Sequence, residues 1–373
     1  MKYYIIAGEA SGDLHGSNLI KEIKKLDNKA SFRCWGGDLI KKESNNLVKH
    51  YKDYSFMGFL EVFLNLFLIL KNISFCKSDI LKFNPDIIIY IDFPGFNLRI
   101  AEWAKKYGYK NHYYISPQIW AWKESRIKII KRFIDKMYVI LPFEKDFYKK
   151  HNHNVSFVGH PLIDEIYKSK YLKSKNIIND KRILLLPGSR DQEIKKILPI
   201  MASITKEFKN YKFVVAAAPS QKKSTYKKYI KDYNIEIIEN KTYELLQNCE
   251  AAIVTSGTAT LETALFKVPQ VVCYKSSWIT FLIGKILIKN IKYISLVNLI
   301  ANKLIVKELI QNHCNKDNLA KELKIILNQK QREEMIKNYD ELEVILGGKG
   351  ASKKTAQYIF NYLVEENSGT KDS

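Results

Sequence analysis

Short, uninterrupted apolar runs recur along this chain, and each gives way to a more polar stretch with helical spacing. The clearest run lies within 84–92, where Ile-Ile-Ile-Tyr-Ile predicts a central strand that is buried on both faces. Another run, 251–255, stops at Ser256-Gly257-Thr258, and a helix is predicted to begin directly from that turn. Such alternation of strands and helices predicts parallel sheets.

Nine further runs predict strands, so the pattern has two alternating halves. The lysine-rich stretch 168–181 lacks an apolar period and is predicted to link them. We therefore expect an N-terminal domain over 1–167 and a C-terminal domain over 182–345, with helices predicted over 306–311 and 351–366. The remaining predicted strands are 3–7, 31–35, 112–116, 137–141, 155–158, 182–186, 213–218, 235–238 and 270–274.

One segment, 54–70, is apolar around most of its circumference, which is more than a helix covering one face of a sheet requires. It is too short to cross a bilayer and is interrupted by Glu61 and Asn65. Two interpretations are open: a fully buried core helix, or a segment that dips into a membrane surface. The apolar residues concerned are Phe56, Met57, Phe59, Leu60, Phe63, Leu64, Leu66, Phe67 and Leu68.

Composition narrows the class of protein more than its function. The 373 residues suit two domains, and a hydrophobic content of 46% is that of a folded protein. Five scattered cysteines without metal-ligand spacing predict reduced thiols in a cytosolic protein, and we expect no metal, cofactor or signal peptide. The net charge of +22 comes from lysines spread along the whole chain, so charge alone decides neither for nucleic acid nor for a membrane.

Candidate chemistry in the second half lies at strand ends. The turn Ser256–Thr258 offers free backbone N–H groups at a helix N-terminus, which favours phosphate, and Glu262 could accept the two hydroxyls of a ribose. Ser189 and Arg190 follow another strand, and Arg is suited to bidentate contact with phosphate oxygens. The alternative is an ordinary strand–helix corner with a surface glutamate.

In the first half, Asp92 ends the clearest strand, where ligands bind in open α/β sheets. It is a candidate general base, and the alternative is a helix cap or turn residue. The loop 8–16 has the spacing Gly-x3-Gly-x3-Gly, which differs from the dinucleotide fingerprint. It suits a sugar or phosphate that approaches the backbone, or only tight packing. Its candidate substrate-binding residues are Glu9, Ser11, Gly12 and Asp13, of which Glu9 and Asp13 compete with Asp92 as the base.

Two α/β halves with glycine turns at strand ends, expected to face a shared cleft, are typical of nucleotide-sugar glycosyltransferases. Seven motifs, in order from residue 3 to about 312, together resemble the lipid-A-disaccharide synthase family. They are Gly8-Glu-Ala-Ser-Gly-Asp13, Ile91-Asp-x-Pro-x-Phe-Asn97, Ser116-Pro-Gln-Ile-Trp-Ala-Trp122, Phe157-Val-Gly-His-Pro161, Leu186-Pro-Gly-Ser-Arg190, Ser256-Gly-Thr-Ala-Thr-Leu-Glu262 and Ser295-Leu-x-Asn298.

The resemblance implies a GT-B fold, with the C-terminal helix crossing back to the first domain. It implies an inverting transfer from UDP-2,3-diacylglucosamine to 2,3-diacylglucosamine 1-phosphate (lipid X) through a β-1,6 link. Carried onto this chain, Ser256–Thr258, Glu262, Arg190 and Asn298 would hold UDP, and Asp92 would be the base. Gly95 stands where many members have Asp and Val297 where many have Pro, so roles that rest on those two positions do not carry over.

The resemblance also bears on location and partners. Both substrates carry acyl chains, so membrane docking by the segment 56–70 becomes the favoured interpretation. It implies a cytoplasmic, peripheral enzyme on an anionic Gram-negative inner membrane, without nucleic acid, and it allows a homodimer. Two alternatives stay open: an enzyme like UDP-N-acetylglucosamine 2-epimerase, which has this fold and acts on soluble sugars, and a sugar-nucleotide binding protein without catalysis.

Overall fold

A computed structural model describes residues 1–54, 65–121, 123–168, 181–276 and 292–369 of the chain. The chain forms two compact units. The first comprises Met1–Pro161 together with the C-terminal residues from Lys349 onward, and the second comprises Leu162–Gly348. Of the predicted apolar segment 54–70, residues 55–64, with Phe56, Met57, Phe59, Leu60, Phe63 and Leu64, lie outside the described residues.

The first unit is built on a seven-stranded parallel sheet with the order β3-β2-β1-β4-β5-β6-β7. Its strands are β1 Lys2–Ala7, β2 Ser31–Gly36, β3 Leu47–His50, β4 Ile87–Ile91, β5 Asn111–Tyr114, β6 Lys136–Val139 and β7 Ser156–Phe157. Its helices are α1 Ala10–Leu26, α2 Asp38–Ser44, α3 Leu66–Phe83, α4 Pro94–Lys106, α5 Ile127–Phe133 and α6 Pro142–Lys150, with 3-10 turns at Tyr51–Asp53 and Glu124–Arg126; α7 Pro161–Lys168 leads into the second unit.

Both faces of this sheet are covered, as the apolar strands require. Along β1, Tyr3 and Ile5 pack into one core with residues of α1, whereas Tyr4 and Ile6 pack into another with residues of α3 and α4. Successive side chains of a strand point to opposite faces, so an apolar run without alternation can be satisfied only by helices on both sides.

The C-terminal helix, Ala351–Gly369, completes the first unit, as expected for the fold class. Its Ile359 and Leu363 are buried in the same core as Leu19 and Ile23 of α1. The ring of Tyr362 lies 4.5 Å from that of His112, centroid to centroid. Apolar burial therefore attaches the end of the chain to the first sheet.

The second unit contains a six-stranded parallel sheet with the order β10-β9-β8-β11-β12-β13. Its strands are β8 Arg182–Leu186, β9 Lys212–Ala217, β10 Ile235–Glu239, β11 Ala251–Thr255, β12 Gln270–Tyr274 and β13 Lys307–Ile310. Its helices are α8 Asp191–Ser203, α9 Lys223–Lys227, α10 Thr242–Gln247, α11 Thr258–Leu265, α12 Leu296–Ala301, α13 Lys316–Leu327 and α14 Gln329–Ile345, with 3-10 turns at Thr205–Glu207 and Gln311–His313.

The predicted class, two Rossmann-like α/β halves, is confirmed. The helix predicted over 306–311 is wrong, because Lys307–Ile310 forms strand β13, which pairs with β12 at the sheet edge. A segment of six residues is too short for its apolar spacing to distinguish a turn of helix from an edge strand. Strand β3 was not predicted from the sequence. Among the described residues, no helix is long and apolar enough to cross a membrane.

Candidate active site

The strand order of the first sheet marks one position where a ligand is expected. Strands β1 and β4 are neighbours, with Ala7 paired to Ile91. The next strand after β1 lies on one side of this pair, and the next strand after β4 lies on the other side. In open parallel sheets, ligands bind at such a switch in strand order, beyond the carboxyl ends of the strands. Glu9 follows β1 and Asp92 follows β4, so both lie at that point.

Asp92 is held in an uncommon backbone conformation with a φ of 45°, and Phe93 follows with a φ of 50°. The main-chain carbonyl of Asp92 accepts hydrogen bonds from Tyr113 Oη at 2.5 Å and from Asn97 Nδ2 at 2.7 Å. Burial, followed by the nearby negative charge of Glu9, raises the pKa of the Asp92 carboxyl to about 6. A carboxylate with such a pKa can accept a proton near neutral pH.

Asp13, a competing candidate for the base, stabilises the fold through its carboxylate. Its carboxylate accepts hydrogen bonds from the backbone N–H groups of Gly37 at 2.7 Å, Ile40 at 2.9 Å and Leu39 at 3.1 Å. These groups form the N-terminus of α2, so Asp13 caps that helix from another part of the chain. The side chain is 4% exposed, and this commitment favours Asp92 over Asp13 as the base.

Packing accounts for the glycines of the first loop. A Cβ on Gly8 would lie 2.2 Å from the ring of Phe93, and one on Gly12 would lie 3.2 Å from Cβ of Ala7. Protein atoms therefore occupy the space above both residues, which favours the packing interpretation over direct ligand approach at the predicted Gly12. Ser11 is exposed in the first turn of α1, beside the half-buried Glu9.

The second sheet repeats the same topology. Strands β8 and β11 are neighbours, with Leu186 paired to Val254, and the strand order switches between them. The turn after β8 carries Ser189 and Arg190, and the turn after β11 carries Ser256–Thr258. The sheet therefore brings together two segments that are far apart in the sequence.

The turn Ser256–Thr258 leaves its backbone open. Gly257 has a φ of 158° and a ψ of −164°, which only glycine adopts readily, and no heavy atom of the described residues lies within 4 Å of a Cβ built on it. Ser256 Oγ donates to the carbonyl of Ile294 at 2.9 Å, while Thr258 is exposed at the first position of α11. As far as the described residues go, the backbone of Gly257 and Thr258 is open to a ligand.

Arg190 places a positive charge in the turn after β8, and its side chain is 77% exposed. Its Nη1 lies 3.4 Å from Oε1 of Glu193, whose Oε2 accepts a hydrogen bond from the Ser189 backbone N–H at 3.2 Å. The carbonyl of Ser189 accepts from Gln221 Nε2 at 2.9 Å. In this structure a glutamate carboxylate thus contacts the donors that would suit a phosphate.

Glu262 lies on α11, one turn after Gly257, and is half-buried. Tyr243 Oη donates a hydrogen bond to its Oε1 at 3.0 Å. Burial raises the pKa of the Glu262 carboxyl, and the hydrogen bond from Tyr243 acts in the opposite direction. Tyr243, which the sequence analysis missed, fixes the carboxylate that was predicted to accept ribose hydroxyls.

Asn298 is fully buried, and both ends of its amide have partners inside the unit. Its Oδ1 accepts from the backbone N–H groups of Ile305 at 2.8 Å and Val306 at 2.9 Å, and its Nδ2 donates to Glu308 at 2.9 Å. Glu308 also accepts from Ser295 Oγ at 2.7 Å. These contacts support the loop whose Ile294 carbonyl accepts a hydrogen bond from Ser256, and the contact of Asn298 with UDP stays a prediction.

The described part of the predicted membrane segment begins at α3. Phe67 is 82% exposed, and Leu66 and Leu70 are also exposed, whereas Leu68 is half-buried. Further along the same helix, Ile73, Cys76 and Ile80 are buried against the sheet. The N-terminal end of the helix therefore presents apolar side chains that no described residue covers. Among the described residues there is also no cluster of three or more His, Cys, Asp or Glu that could hold a metal ion.

Comparison with known proteins gives consistent results. Residues 3–361 match the family model described as lipid-A-disaccharide synthetase. A lipid-A-disaccharide synthase of Syntrophus aciditrophicus is 37% identical over 365 residues, which cover 94% of this chain and 95% of the relative. One from Geobacter metallireducens is 35% identical, with 96% of each chain covered.

Solved structures with the same fold are more distant in sequence. The UDP-GlcNAc 2-epimerase of Neisseria meningitidis superposes with a TM-score of 0.68 at 14% identity, covering 97% of this chain and all of the other. The glycosyltransferase of kitacinnamycin superposes with a TM-score of 0.65 at 11% identity, covering 97% and 99%. At such identities the likeness is one of fold alone.

Proposed function

The chain belongs to the lipid-A-disaccharide synthase family, and from this premise we propose how its two units divide the family's reaction. It is a glycosyltransferase of lipid A biosynthesis that joins UDP-2,3-diacylglucosamine to lipid X through a β-1,6 link. The products are lipid A disaccharide 1-phosphate and UDP. Because the epimerases are relatives in fold alone, they do not support an epimerase activity for this chain.

The second unit binds the donor in this proposal. Arg190 and the backbone N–H groups of Ser189, Gly257 and Thr258 contact the diphosphate, and Glu262 accepts the ribose hydroxyls. The observation that supports it best is the pairing of an exposed arginine with an open glycine turn at one switch point. As the bond from the sugar C1 to the diphosphate breaks, negative charge grows on UDP, and Arg190 stabilises it.

The first unit supplies the base. The 6-hydroxyl of lipid X attacks C1 of the donor sugar from the face opposite UDP, so the configuration inverts. The new bond joins O6 to C1, the bond from C1 to the diphosphate oxygen breaks, and the hydroxyl proton passes to the Asp92 carboxylate. A sugar hydroxyl is a weak nucleophile at neutral pH, and a carboxylate within hydrogen-bond reach is the simplest remedy.

Pure protein incubated with UDP-2,3-diacylglucosamine and lipid X tests the activity. We expect UDP and a tetra-acylated disaccharide phosphate in equal amounts, with neither formed when lipid X is omitted. UDP-N-acetylglucosamine serves as a second substrate in a parallel reaction. Epimerisation of that sugar without disaccharide would contradict the transferase, and binding of UDP-sugars without any turnover would indicate a binding protein.

We further propose that the N-terminal end of α3 docks on an anionic membrane surface, which would make the protein peripheral on the cytoplasmic face of the inner membrane. Leu66, Phe67 and Leu70 are exposed, and Lys71 follows them. Each such apolar side chain removed from water contributes about 1.5–3 kcal/mol, and a lysine near an anionic surface contributes about 1 kcal/mol. A few of them suffice for reversible attachment to the membrane that holds both acylated substrates.

Liposome flotation tests this docking. Replacing Leu66, Phe67 and Leu70 together with Ser should release the protein from vesicles that contain anionic phospholipid, while thermal unfolding stays cooperative. A matched variant replaces Leu304, Val344 and Ile345, which are also exposed, with Ser on the second unit. It should float like the unchanged protein, and equal release of both variants would contradict the assignment to α3.

A further inference from the structure

The backbone around Asp92 is held against its ordinary preference. Asp92 and Phe93 both have positive φ values, 45° and 50°. Such conformations are uncommon outside glycine, and for a bulky residue such as Phe they persist only where the surroundings impose them. The direction of the Asp92 carboxylate depends on this conformation, because its Cβ is bonded to the Cα of the first of these two residues.

Two donors hold the carbonyl of Asp92 itself. Tyr113 Oη donates to it at 2.5 Å from β5, and Asn97 Nδ2 donates at 2.7 Å from α4. Tyr113 is fully buried on the strand next to β4, so its hydroxyl reaches the end of β4 from a rigid sheet position. A buried hydroxyl that donates a hydrogen bond to this peptide restricts the rotation of the peptide.

The ring of Phe93 is held by its own contacts, apart from the hydrogen bonds to the Asp92 carbonyl. Phe93 packs above Gly8, where a Cβ would come within 2.2 Å of its ring, and it stacks on Phe96 at 5.6 Å between centroids. Tyr54 approaches the same ring edge-on at 5.9 Å. Loss of the Tyr113 donor would leave the Asp92 carbonyl with Asn97 Nδ2 alone and so loosen that peptide, while the ring stays in place.

We propose that Tyr113 is a positioning residue of the transfer reaction, which sets the direction of the Asp92 carboxylate through a hydrogen bond to the Asp92 main chain. The inference rests on the proposed role of Asp92 as the base. Tyr113 touches no reacting atom in this scheme. It holds the base at the distance and angle from which the acceptor hydroxyl can transfer its proton.

The alternative is that the Tyr113 hydroxyl only stabilises the fold. The neighbouring strand, β4, offers a matched control for the loss of a buried tyrosine hydroxyl. Tyr90 is paired with Tyr113 across β4 and β5, is equally buried, and donates from its hydroxyl to Asn111 Oδ1 at 2.9 Å. Tyr90→Phe therefore removes a buried hydroxyl from the same sheet without touching the Asp92 carbonyl.

The experiment compares Tyr113→Phe and Tyr90→Phe in kcat, in KM for the UDP donor and in thermal unfolding. Tyr113→Phe should lower kcat roughly 10- to 100-fold, since a displacement of about 1 Å at a reacting group costs about that much, and should leave the donor KM unchanged. Tyr90→Phe should lower the unfolding temperature similarly and keep kcat within about twofold. Equal losses of kcat in the two variants would overturn the proposal.

A double-mutant cycle separates this inference from the role of Asp92. If Tyr113 acts through Asp92, Tyr113→Phe should cause no further loss of kcat in the Asp92→Asn background. A full additional loss there would overturn the proposal. If Asp92→Asn alone turns over normally, the base assignment fails; if Asp92→Asn is impaired and Tyr113→Phe is not, only the positioning role fails. Should Tyr113→Phe not fold, Asn97→Ala is held to the same outcomes; it removes the other donor together with longer contacts to the carbonyls of Ile6 and Ile91 at 3.5 and 3.4 Å.

Discussion

The two sheets have the same kind of switch point and opposite chemistry. Beyond β1 and β4 lie two carboxylates, Glu9 and Asp92, and the ring of Phe93 occupies the space next to Gly8 in the adjoining loop. Beyond β8 and β11 lie an exposed cation, Arg190, and a glycine, Gly257, with no atom of the described residues above it. Topology thus determines where a ligand can bind, whereas the side chains at the strand ends determine which reaction step each sheet can serve.

If the first switch point serves proton transfer alone, the largest effect should come from Asp92→Asn. The amide keeps the shape of the side chain and cannot accept the hydroxyl proton, so kcat should fall by about 10²- to 10⁴-fold. Glu9→Gln serves as the control, because it removes the neighbouring charge without removing the base. A loss of kcat in Glu9→Gln as large as that in Asp92→Asn would assign the base to Glu9 instead.

Arg190→Ala should have the next largest effect, at the second switch point. Removing a cation that stabilises the departing UDP should lower kcat by about 10²- to 10³-fold. Lys195 on the same helix, α8, provides a control, because Lys195→Ala removes a cation that lies five residues further along the chain. Unchanged turnover of Arg190→Ala would remove this arginine from the donor site.

The pH dependence of kcat/KM should report on the first switch point. The pKa of Asp92 is raised to about 6 by burial and by Glu9, and the base acts only when it is ionised. We therefore expect kcat/KM to fall as the pH drops through about 6, by about tenfold per pH unit below it. The residual activity of Asp92→Asn should lack this slope. A profile that stays flat down to pH 5 would contradict a base with this pKa.

The smallest effect concerns Glu193, whose carboxylate contacts Ser189 and Arg190 where a diphosphate is proposed to bind. Glu193→Gln removes a competing negative charge, so UDP should bind more tightly. An exposed ion pair is worth about 0.2–1 kcal/mol, which corresponds to a gain in affinity of at most about fivefold. Asp191→Asn removes the same charge from the same helical turn and should change UDP affinity less. Weaker binding to Glu193→Gln would show that the glutamate supports the site.

Local patterns in the sequence predict those features of the site that depend on neighbours in the chain. The apolar run before Asp92 identifies a central strand, and its last residue is thereby placed at the carboxyl end of the sheet. The turn at Ser256–Thr258 is likewise predicted from its own glycine and from the helical pattern that follows it. In both cases strand and functional residue are contiguous.

Partners that are distant in the chain could not be predicted in this way. Asp13 caps a helix that begins 25 residues later, at Asp38, and Tyr243 binds Glu262 from a separate helix. The motif around Asn298 also does not reveal that its side chain is buried and accepts hydrogen bonds from the backbone of Ile305 and Val306. The position of a polar residue at a strand end is thus a local property, whereas its hydrogen-bond partner is a property of the tertiary fold.

The affinity of UDP for two variants tests the division of labour between the sheets most directly. Isothermal titration of UDP into the unchanged protein, Asp92→Asn and Arg190→Ala measures binding apart from proton transfer. Asp92→Asn should bind UDP as tightly as the unchanged protein although its turnover has fallen, and Arg190→Ala should bind it at least about tenfold more weakly, because a charge-assisted contact to phosphate is worth about 1.5–3 kcal/mol. Loss of UDP affinity in Asp92→Asn, or full affinity in Arg190→Ala, would contradict the account.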